Sequence, residues 1–212
     1  KLSVELCKWY NVTIATFYSD ELYPNTYPYE GKLVSRNELE EENFLNKILS
    51  RLKFIRKIKK DNNIDVAISF LKGADLINAL TTNSKHKTIQ YLVTDVNVLI
   101  KTATNKLIYS YIFSKIDKVL VQNELNYKSL KNKVDNRKLS IIPNLLNVAD
   151  IQDKSKERIA FKNDHNDCVF AITGTLYSVK GQKHIFKILA HLKKIYNEKF
   201  KLILQGGLNE IE

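Results

Sequence analysis

The 212-residue chain has only two cysteines, no methionine and no long apolar run. Cys7 and Cys168 are far apart, with no Cys-x-x-Cys spacing and no histidine cluster beside them. This argues against a disulfide scaffold or a zinc site and predicts two buried, reduced thiols. No stretch approaches the roughly 20 apolar residues of a membrane-spanning helix. The sequence also lacks a Walker loop, a Gly-x-Ser-x-Gly elbow and a dinucleotide fingerprint.

Basic residues are in clear excess. The chain has 34 Lys and Arg against 23 Asp and Glu, which gives a net charge of +11. Its apolar fraction of 44% and charged fraction of 27% are ordinary for a globular protein, so disorder is not indicated. The positive charge favours polyanionic partners: nucleic acid, an anionic membrane surface or phosphorylated small molecules.

Short apolar runs rich in Val, Ile, Phe and Tyr alternate with helical patterns, which predicts an α/β fold with parallel sheets. Several runs are apolar nearly throughout, as strands buried on both faces of a parallel sheet are. The predicted strands lie at 11–18, 32–35, 64–70, 88–94, 117–122, 138–142, 167–173 and 199–205. The predicted helices lie at about 38–60, 73–83, 103–115, 124–132 and 181–196.

A domain boundary is predicted after the strand that ends at Pro143-Asn144. A polar, charged stretch follows it, and the strand–helix–strand pattern then starts again. We therefore expect a Rossmann-like domain over 1–145, a linker over 146–166 and the first βαβ unit of a second domain over 167–212. A lone βαβ unit of that size is too small to bury a stable core, so the second domain is expected to be present only in part.

The segment 38–60 has two interpretations. Four glutamates precede seven Lys and Arg, which complements the dipole of a helix, and its apolar stripe then packs on the sheet. Alternatively, residues 44–60 form a basic amphipathic helix that rests on an anionic membrane surface. The stripe comprises Phe44, Leu45, Ile48, Leu49, Leu52, Ile55 and Ile58, with Phe54 off it.

Glycines and one lysine stand where predicted strands of the second half end. Gly174 and Thr175 follow one strand, Lys180-Gly181 opens the next helix, and Gly206 follows the next strand. Ligands of open α/β sheets bind outside the carboxyl ends of the strands, and helix N-termini present N–H groups to anions. The pattern therefore fits a phosphate site, although glycines also serve simply to make tight turns.

Several segments, taken in order, resemble the family 4 glycosyltransferases. "IIPNLLN" (141–147) is similar to their inter-domain segment, and "AITGTLYSVKGQKHIFKILAHL" (171–192) is similar to their Gly-Arg-Leu…Lys-Gly stretch. "SKIDKVLVQNELNYKSL" (114–130) and "KLILQGGLNEIE" (201–212) resemble further strands with their turns. The resemblance implies a GT-B fold of two Rossmann-like domains, with the first strand and its glycine-rich loop preceding Lys1.

The resemblance also implies roles for single residues. Lys180 corresponds to the lysine that contacts the donor diphosphate, whereas Thr175 stands where the family has a second, arginine contact. Asp95, after the strand 88–94, is the candidate catalytic residue, which would hydrogen-bond the sugar or the acceptor hydroxyl. The further diphosphate-binding candidates are Gly174 and Gly181, and the remaining site candidates are Asn123, Glu124, Asn144 and Gly206.

The implied activity is sugar transfer from a nucleotide-sugar donor, with retained anomeric configuration, to a glycan or lipid-linked acceptor. The setting would be bacterial-type surface polysaccharide assembly, in the cytoplasm or on the inner face of the membrane, with no cofactor and no metal. Two alternatives remain open, a GT-B nucleotide-sugar epimerase and a non-catalytic GT-B partner protein. A nucleic-acid partner is not expected, because aromatic residues do not interleave with the basic run 47–60.

Overall fold

The computed structural model describes residues 2–18, 29–37, 43–157, 168–174, 181–196 and 200–206. The chain divides into two compact units, Lys1–Val148 and Ala149–Glu212. The first unit contains α1 (Leu2–Cys7), β1 (Thr13–Thr16), β2 (Lys32–Ser35), α2 (Phe44–Asp61), β3 (Val66–Phe70), α3 (Lys72–Leu80), β4 (Lys87–Leu92), α4 (Val96–Leu99), α5 (Ala103–Lys115), β5 (Lys118–Val121), α6 (Glu124–Leu130), a 3-10 turn (Asn136–Lys138) and β6 (Leu139–Ile141). The second contains most of α7 (Val148–Lys154), followed by β7 (Cys168–Thr173), α8 (Gln182–Tyr196) and β8 (Phe200–Gln205).

All the described strand pairs are parallel, and helices connect the strands of the β3–β6 sheet and of the β7–β8 pair, which confirms the predicted α/β fold class. In the first unit β3, β4, β5 and β6 pair in chain order, and β1 and β2 form a separate pair. The expectation that another strand precedes Lys1 is not tested by this order and stays a prediction. In the second unit β7 pairs with β8, and α8 connects the two strands along the chain.

One face of the four-stranded sheet carries the core of the first unit. The buried side chains of β4 and β5 alternate along each strand and pack with the inward faces of α3, α5 and α6. The opposite face is only half-buried, so the prediction of strands buried on both faces is wrong for β4 and β5. The buried apolar cluster comprises Ala79, Leu92, Val96, Tyr109, Ile112, Phe113, Ile116, Val119, Val121, Leu130, Val134 and Leu139.

Three short helices were not expected. Helices α1, α4 and α7 have six, four and seven residues, too few for an apolar period to show in the sequence. Helix α7 lies within the predicted linker 146–166, and residues 158–166 of that linker lie outside the described residues. The predicted burial of the cysteines is also wrong, because Cys7 is half-buried and Cys168 is exposed on β7.

Helix α2 begins later than predicted, and the side that it buries differs from the predicted one. Asn43 is its N-cap, with the Asn43 side chain accepting a hydrogen bond from the Leu45 amide at 3.0 Å. Phe44, Leu45 and Leu49 are exposed, although the predicted stripe placed them against the sheet. Phe54, predicted off the stripe, is half-buried, and its ring centroid lies 6.5 Å from that of Phe17. Residues 38–42 lie outside the described residues.

The outward face of α2 is basic in its second half. Lys53, Arg56, Lys57 and Lys60 are exposed, and their spacing of i, i+3, i+4 and i+7 places them on one side of the helix. Leu45 and Leu49 continue the exposed side toward the helix start. The solvent side of α2 is therefore both basic and apolar.

Lys59 points inward and joins α2 to α3 and β4. The Lys59 ammonium donates to Asn78 Oδ1 at 2.8 Å and Thr81 Oγ1 at 2.9 Å, and it lies 2.9 Å from His86 Nε2. Burial lowers the pKa of Lys59 to about 8. Burial and the Lys59 charge together lower the pKa of His86, which favours the neutral imidazole that can accept this hydrogen bond.

We expect Lys59→Met to reduce the free energy of unfolding by about 2 kcal/mol, because it removes the donor shared by three buried acceptors. Lys57→Met, on the exposed face of the same helix, should change it by less than about 0.5 kcal/mol. Urea unfolding of both variants measures the difference. Equal effects would show that the inward lysine contributes no more than an exposed one.

Candidate functional site

The carboxyl ends of the four parallel strands β3 to β6 bring four loops to one edge of the sheet. Following the order of the strands, the loops start at Leu71, Val93, Gln122 and Ile142. Ligands of open α/β sheets bind at such an edge. Three of the four loops carry residues predicted from the sequence as site candidates: Asp95, Asn123, Glu124 and Asn144.

Asp95 and Asn123 each cap a helix at this edge. Asp95 Oδ1 accepts a hydrogen bond from the Asn97 amide at 2.8 Å and so caps α4. Asn123 Oδ1 accepts from the Asn126 amide at 2.9 Å and caps α6. Both capping residues are exposed, as is Glu124 in the first turn of α6. Asp95 Oδ2 has no hydrogen-bond partner among the described residues and remains available to a ligand hydroxyl.

Asn126, which the sequence did not single out, ties these two loops together. Its side chain is buried, and its Oδ1 accepts a hydrogen bond from the Val96 amide at 3.2 Å. The backbone N–H of Asn126 also donates to Asn123 Oδ1, so Asn126 connects the start of α6 to the start of α4. An asparagine two positions into a helical pattern reads as an ordinary exposed polar residue, so the sequence carries no signal for this role.

Asn144 is held in place from two neighbouring strands. Asn144 Oδ1 lies 3.1 Å from the Tyr91 hydroxyl and accepts a hydrogen bond from Gln122 Nε2 at 2.9 Å. The Tyr91 hydroxyl also lies 3.0 Å from the Ile142 carbonyl oxygen, so these two acceptors share its proton. Because both donors use the Asn144 oxygen, its amide nitrogen is left to donate at the exposed edge.

The loop after β3 contains an unusual backbone conformation. Leu71 has φ 73° and ψ 148°, a region occupied almost only by glycine, and its side chain is 63% exposed. The next residue, Lys72, donates a short hydrogen bond from its ammonium to Asn105 Oδ1 at the start of α5. No sequence pattern pointed to Leu71 or Lys72. Both lie at the same edge as Asp95.

In the second unit, the candidate glycines lie at the strand ends and directly before α8. Gly174 follows β7 and Gly206 follows β8, and because Thr173 pairs with Gln205 the two glycines lie at adjacent strand ends. Gly174 has φ 132° and Gly181, just before α8, has φ 75°; both conformations favour glycine. A Cβ added at either position would meet no described residue within 4 Å.

Lys180 and Thr175 lie outside the described residues. The candidates therefore fall into two sets, one in each unit: Asp95, Asn123, Glu124 and Asn144 in the first, and Gly174, Gly181 and Gly206 in the second. In the described part of the chain, no group of three His, Cys, Asp or Glu side chains is placed to hold a metal ion. No helix among residues 2–18, 29–37, 43–157, 168–174 and 181–196 combines the length and apolar character needed to cross a bilayer.

Comparison with known proteins gives a structural likeness alone. No family model and no curated protein sequence matches this chain. Among solved structures, the chain is similar to sucrose-phosphate synthase from Thermosynechococcus elongatus, a GT-B glycosyltransferase, with a TM-score of 0.67 and 12% sequence identity. The likeness covers 98% of this chain and 55% of the synthase chain, so this chain spans about half the length of that protein. At this identity the likeness supports a shared fold.

We expect Leu71→Gly to raise the free energy of unfolding by about 1 kcal/mol relative to Leu71→Ala. Both variants remove the leucine side chain, but alanine keeps the Cβ that opposes the positive φ. Chemical denaturation of the two variants side by side measures this difference. If Leu71→Ala is the more stable, the backbone at this position is relaxed and the loop stores no strain.

Proposed function

We propose that the chain belongs to a retaining glycosyltransferase of the family 4 type, which moves a sugar from a nucleotide-sugar donor to a glycan or lipid-linked acceptor. The setting proposed is surface polysaccharide assembly in the cytoplasm, on the inner face of the membrane. The observation that carries the proposal is the likeness to a GT-B glycosyltransferase over 98% of the chain. The sequence segments that resemble family 4 support it independently.

The donor site is proposed for the second unit. Gly174 and Gly181 flank the sequence segment 175–180, which includes Thr175 and Lys180, and Gly181 immediately precedes the 15-residue helix α8. The first amides of a helix have no intrahelical partner, and the helix dipole adds partial positive charge at that end. A diphosphate held there would face these amides together with the Lys180 ammonium. Gly206, at the neighbouring strand end, would leave room for the rest of the donor.

The proposed chemistry requires stabilisation of the leaving group. As the bond between sugar and diphosphate breaks, negative charge develops on the diphosphate while the sugar becomes oxocarbenium-like. Lys180 and the amides of α8 would stabilise this charge more in the transition state than in the ground state. Thr175 would supply a hydroxyl where the family supplies a guanidinium, so the charge on Lys180 would have the larger share.

The acceptor side is proposed for the sheet edge of the first unit. Asp95 would accept a hydrogen bond from a sugar or acceptor hydroxyl through Oδ2, because Oδ1 already caps α4. Asn144 would donate from its amide nitrogen, with its oxygen fixed by Tyr91 and Gln122. Asn123 would act mainly through its cap on α6, and Glu124 would add an exposed carboxylate beside it.

The basic outward face of α2 is proposed to rest on anionic lipid. Lys53, Arg56, Lys57 and Lys60 provide four charges on one side of the helix, and Leu45 and Leu49 provide exposed apolar surface toward its start. This combination of charge and apolar area is what an interfacial helix requires. It differs from the stripe predicted from the sequence, since Ile48, Leu52, Ile55 and Ile58 are half-buried or buried.

To test the donor site, the full-length gene product is titrated with UDP-, GDP- and ADP-sugars by calorimetry, alongside Lys180→Ala. We expect one nucleotide sugar to bind selectively and Lys180→Ala to weaken it at least tenfold, roughly 1.4 kcal/mol. Lys187→Ala, an exposed lysine on α8, is the matched control and should bind as the wild type does. Binding without sugar transfer would favour the non-catalytic partner, and interconversion of the free nucleotide sugar would favour the epimerase. No binding would contradict the proposal.

To test the membrane surface, sedimentation with vesicles of phosphatidylglycerol and phosphatidylcholine is compared with pure phosphatidylcholine vesicles. Changing Lys53, Arg56, Lys57 and Lys60 to Gln should reduce binding to anionic vesicles more than tenfold, since each charge contributes about 1 kcal/mol. The control variant changes four exposed lysines elsewhere to Gln, at Lys85, Lys106, Lys128 and Lys131. Equal losses in both variants would indicate a general charge effect and contradict a dedicated face.

A further inference from the structure

A buried polar cluster lies between α3, α5 and the sheet. Asp75 on α3 and Gln90 on β4 are 1% and 0% exposed, and Gln90 Nε2 donates to Asp75 Oδ2 at 2.7 Å. Ser69 on β3 also lies within hydrogen-bond reach of the Asp75 carboxyl, and Tyr109 on α5 lies near it. The cluster is separate from the proposed donor and acceptor residues.

Each member of the Asp75–Gln90 hydrogen bond has a second buried polar atom that lacks a hydrogen-bond partner among the described residues. Asp75 Oδ1 and Gln90 Oε1 are both buried and lack a hydrogen-bond partner in the described structure, as does the Tyr109 hydroxyl. Two oxygens that can only accept cannot satisfy each other. A single proton on Asp75 Oδ1 would convert that atom into a donor for Gln90 Oε1.

We infer that Asp75 is a proton-binding site: its neutral carboxylic acid forms a cyclic pair with the Gln90 amide, held by two hydrogen bonds. Gln90 Nε2 donates to Asp75 Oδ2, and the protonated Asp75 Oδ1 donates to Gln90 Oε1. When the proton leaves to solvent, one bond of the pair is lost and a carboxylate remains buried. The proton is therefore part of the contact that joins α3 to β4.

The electrostatics of the surroundings agree with this geometry. Burial raises the pKa of Asp75 to about 6, and the hydrogen bonds from Gln90 and Ser69 lower it only in part. Tyr109 stays protonated, since burial and the nearby Asp75 raise its pKa to about 12. From α2, Arg51 lies near Gly73 and stacks on Phe17, and Lys59 bonds to Asn78, Thr81 and His86. No ion pair joins Asp75 to any residue that the structure describes.

The site gives a pH dependence of definite sign. The folded state holds the Asp75 proton up to a pH of about 6, whereas an unfolded chain releases it near the usual aspartate pKa of 3.8. The stabilisation is therefore complete below about pH 4 and is lost as pH rises through 6. His86 and Asp117 have lowered pKa values, so both lose stabilisation as pH falls and oppose Asp75 in the total curve. Only a difference between variants isolates the Asp75 contribution.

Asp75→Asn is the decisive variant, because asparagine copies the protonated acid. Its amide can donate to Gln90 Oε1 and its oxygen can accept from Gln90 Nε2 at every pH. We expect the unfolding constants of wild type and Asp75→Asn, measured in urea, to be similar near pH 4. By pH 7.5 the wild-type constant should exceed that of the variant by up to roughly 100-fold, because the folded-state pKa of about 6 lies well above the usual value of 3.8. The exposed Asp65→Asn serves as the matched control and should not produce this divergence.

A direct titration keeps the inference testable if Asp75→Asn does not fold. Carbon-13 NMR of the wild-type aspartate carboxyls, with Asp75 assigned, should show it titrating near pH 6. Tyr109→Phe should preserve that titration, because the pair needs only Asp75 and Gln90. An Asp75 midpoint near 4, or parallel pH curves for wild type and Asp75→Asn, would overturn the inference.

Discussion

The parallel arrangement of β3 to β6 is the constraint on which the site of the first unit depends. Parallel strands bring all their carboxyl ends to one edge, and the helices that return the chain begin there. Each helix start presents unpaired amides that need a cap. Asp95 and Asn123 supply two of these caps, at 2.8 and 2.9 Å. The residue types that suggest ligand binding at this edge are thus the same types that the fold requires.

Because these polar residues cap helices, their presence at the sheet edge is weak evidence that they bind a ligand. One oxygen of Asp95 and the oxygen of Asn123 are committed to backbone amides, and the oxygen of Asn144 is committed to Tyr91 and Gln122. Within the part of the chain that the structure describes, these bonds leave the second Asp95 oxygen and the side-chain amide nitrogens of Asn123 and Asn144 for a ligand, together with the exposed Glu124 carboxylate. The caps hold the neighbouring atoms in fixed positions, so a ligand bound at this edge would meet them in a defined geometry.

The sequence predicted elements well where one physical signal dominated. Helix α5 was predicted at 103–115 and observed at Ala103–Lys115; Thr102 caps its start, and Tyr109, Ile112 and Phe113 form a buried face in its second half. The fold class followed from strand and helix alternation. The short helix α4 could not be predicted, because its four residues depend on the Asp95 cap and on Asn126, which is distant in sequence. The prediction of which side of α2 is buried was wrong, because apolar residues lie on more than one side of the helix.

Hydrogen bonds between buried polar side chains in the core were not predicted from the sequence. The inward face of β4 has the polar residues Thr88 and Gln90, both fully buried. Thr88 Oγ1 lies 2.6 Å from Thr82 Oγ1, and Gln90 bonds to Asp75, so α3 and the loop after it are attached to β4 by specific hydrogen bonds. Asn78 adds a bond from α3 to the Ala67 carbonyl of β3 at 3.2 Å. A single acidic or amide residue in such a segment is predicted to be exposed, because most Asp, Glu, Asn and Gln side chains in proteins are exposed.

The same contacts bear on how the sheet edge is positioned. Apolar packing alone lets a helix shift along a sheet at little cost. A buried hydrogen bond fixes the position of the helix, because a shift would leave a buried polar group without a partner. Helix α3 begins at Lys72, one turn before Asp75, and Lys72 reaches Asn105 at the start of α5. The buried pair of Asp75 and Gln90 therefore fixes the height at which Leu71 and Lys72 stand at the edge. A polar core of this kind favours a defined position of the edge residues over maximal stability.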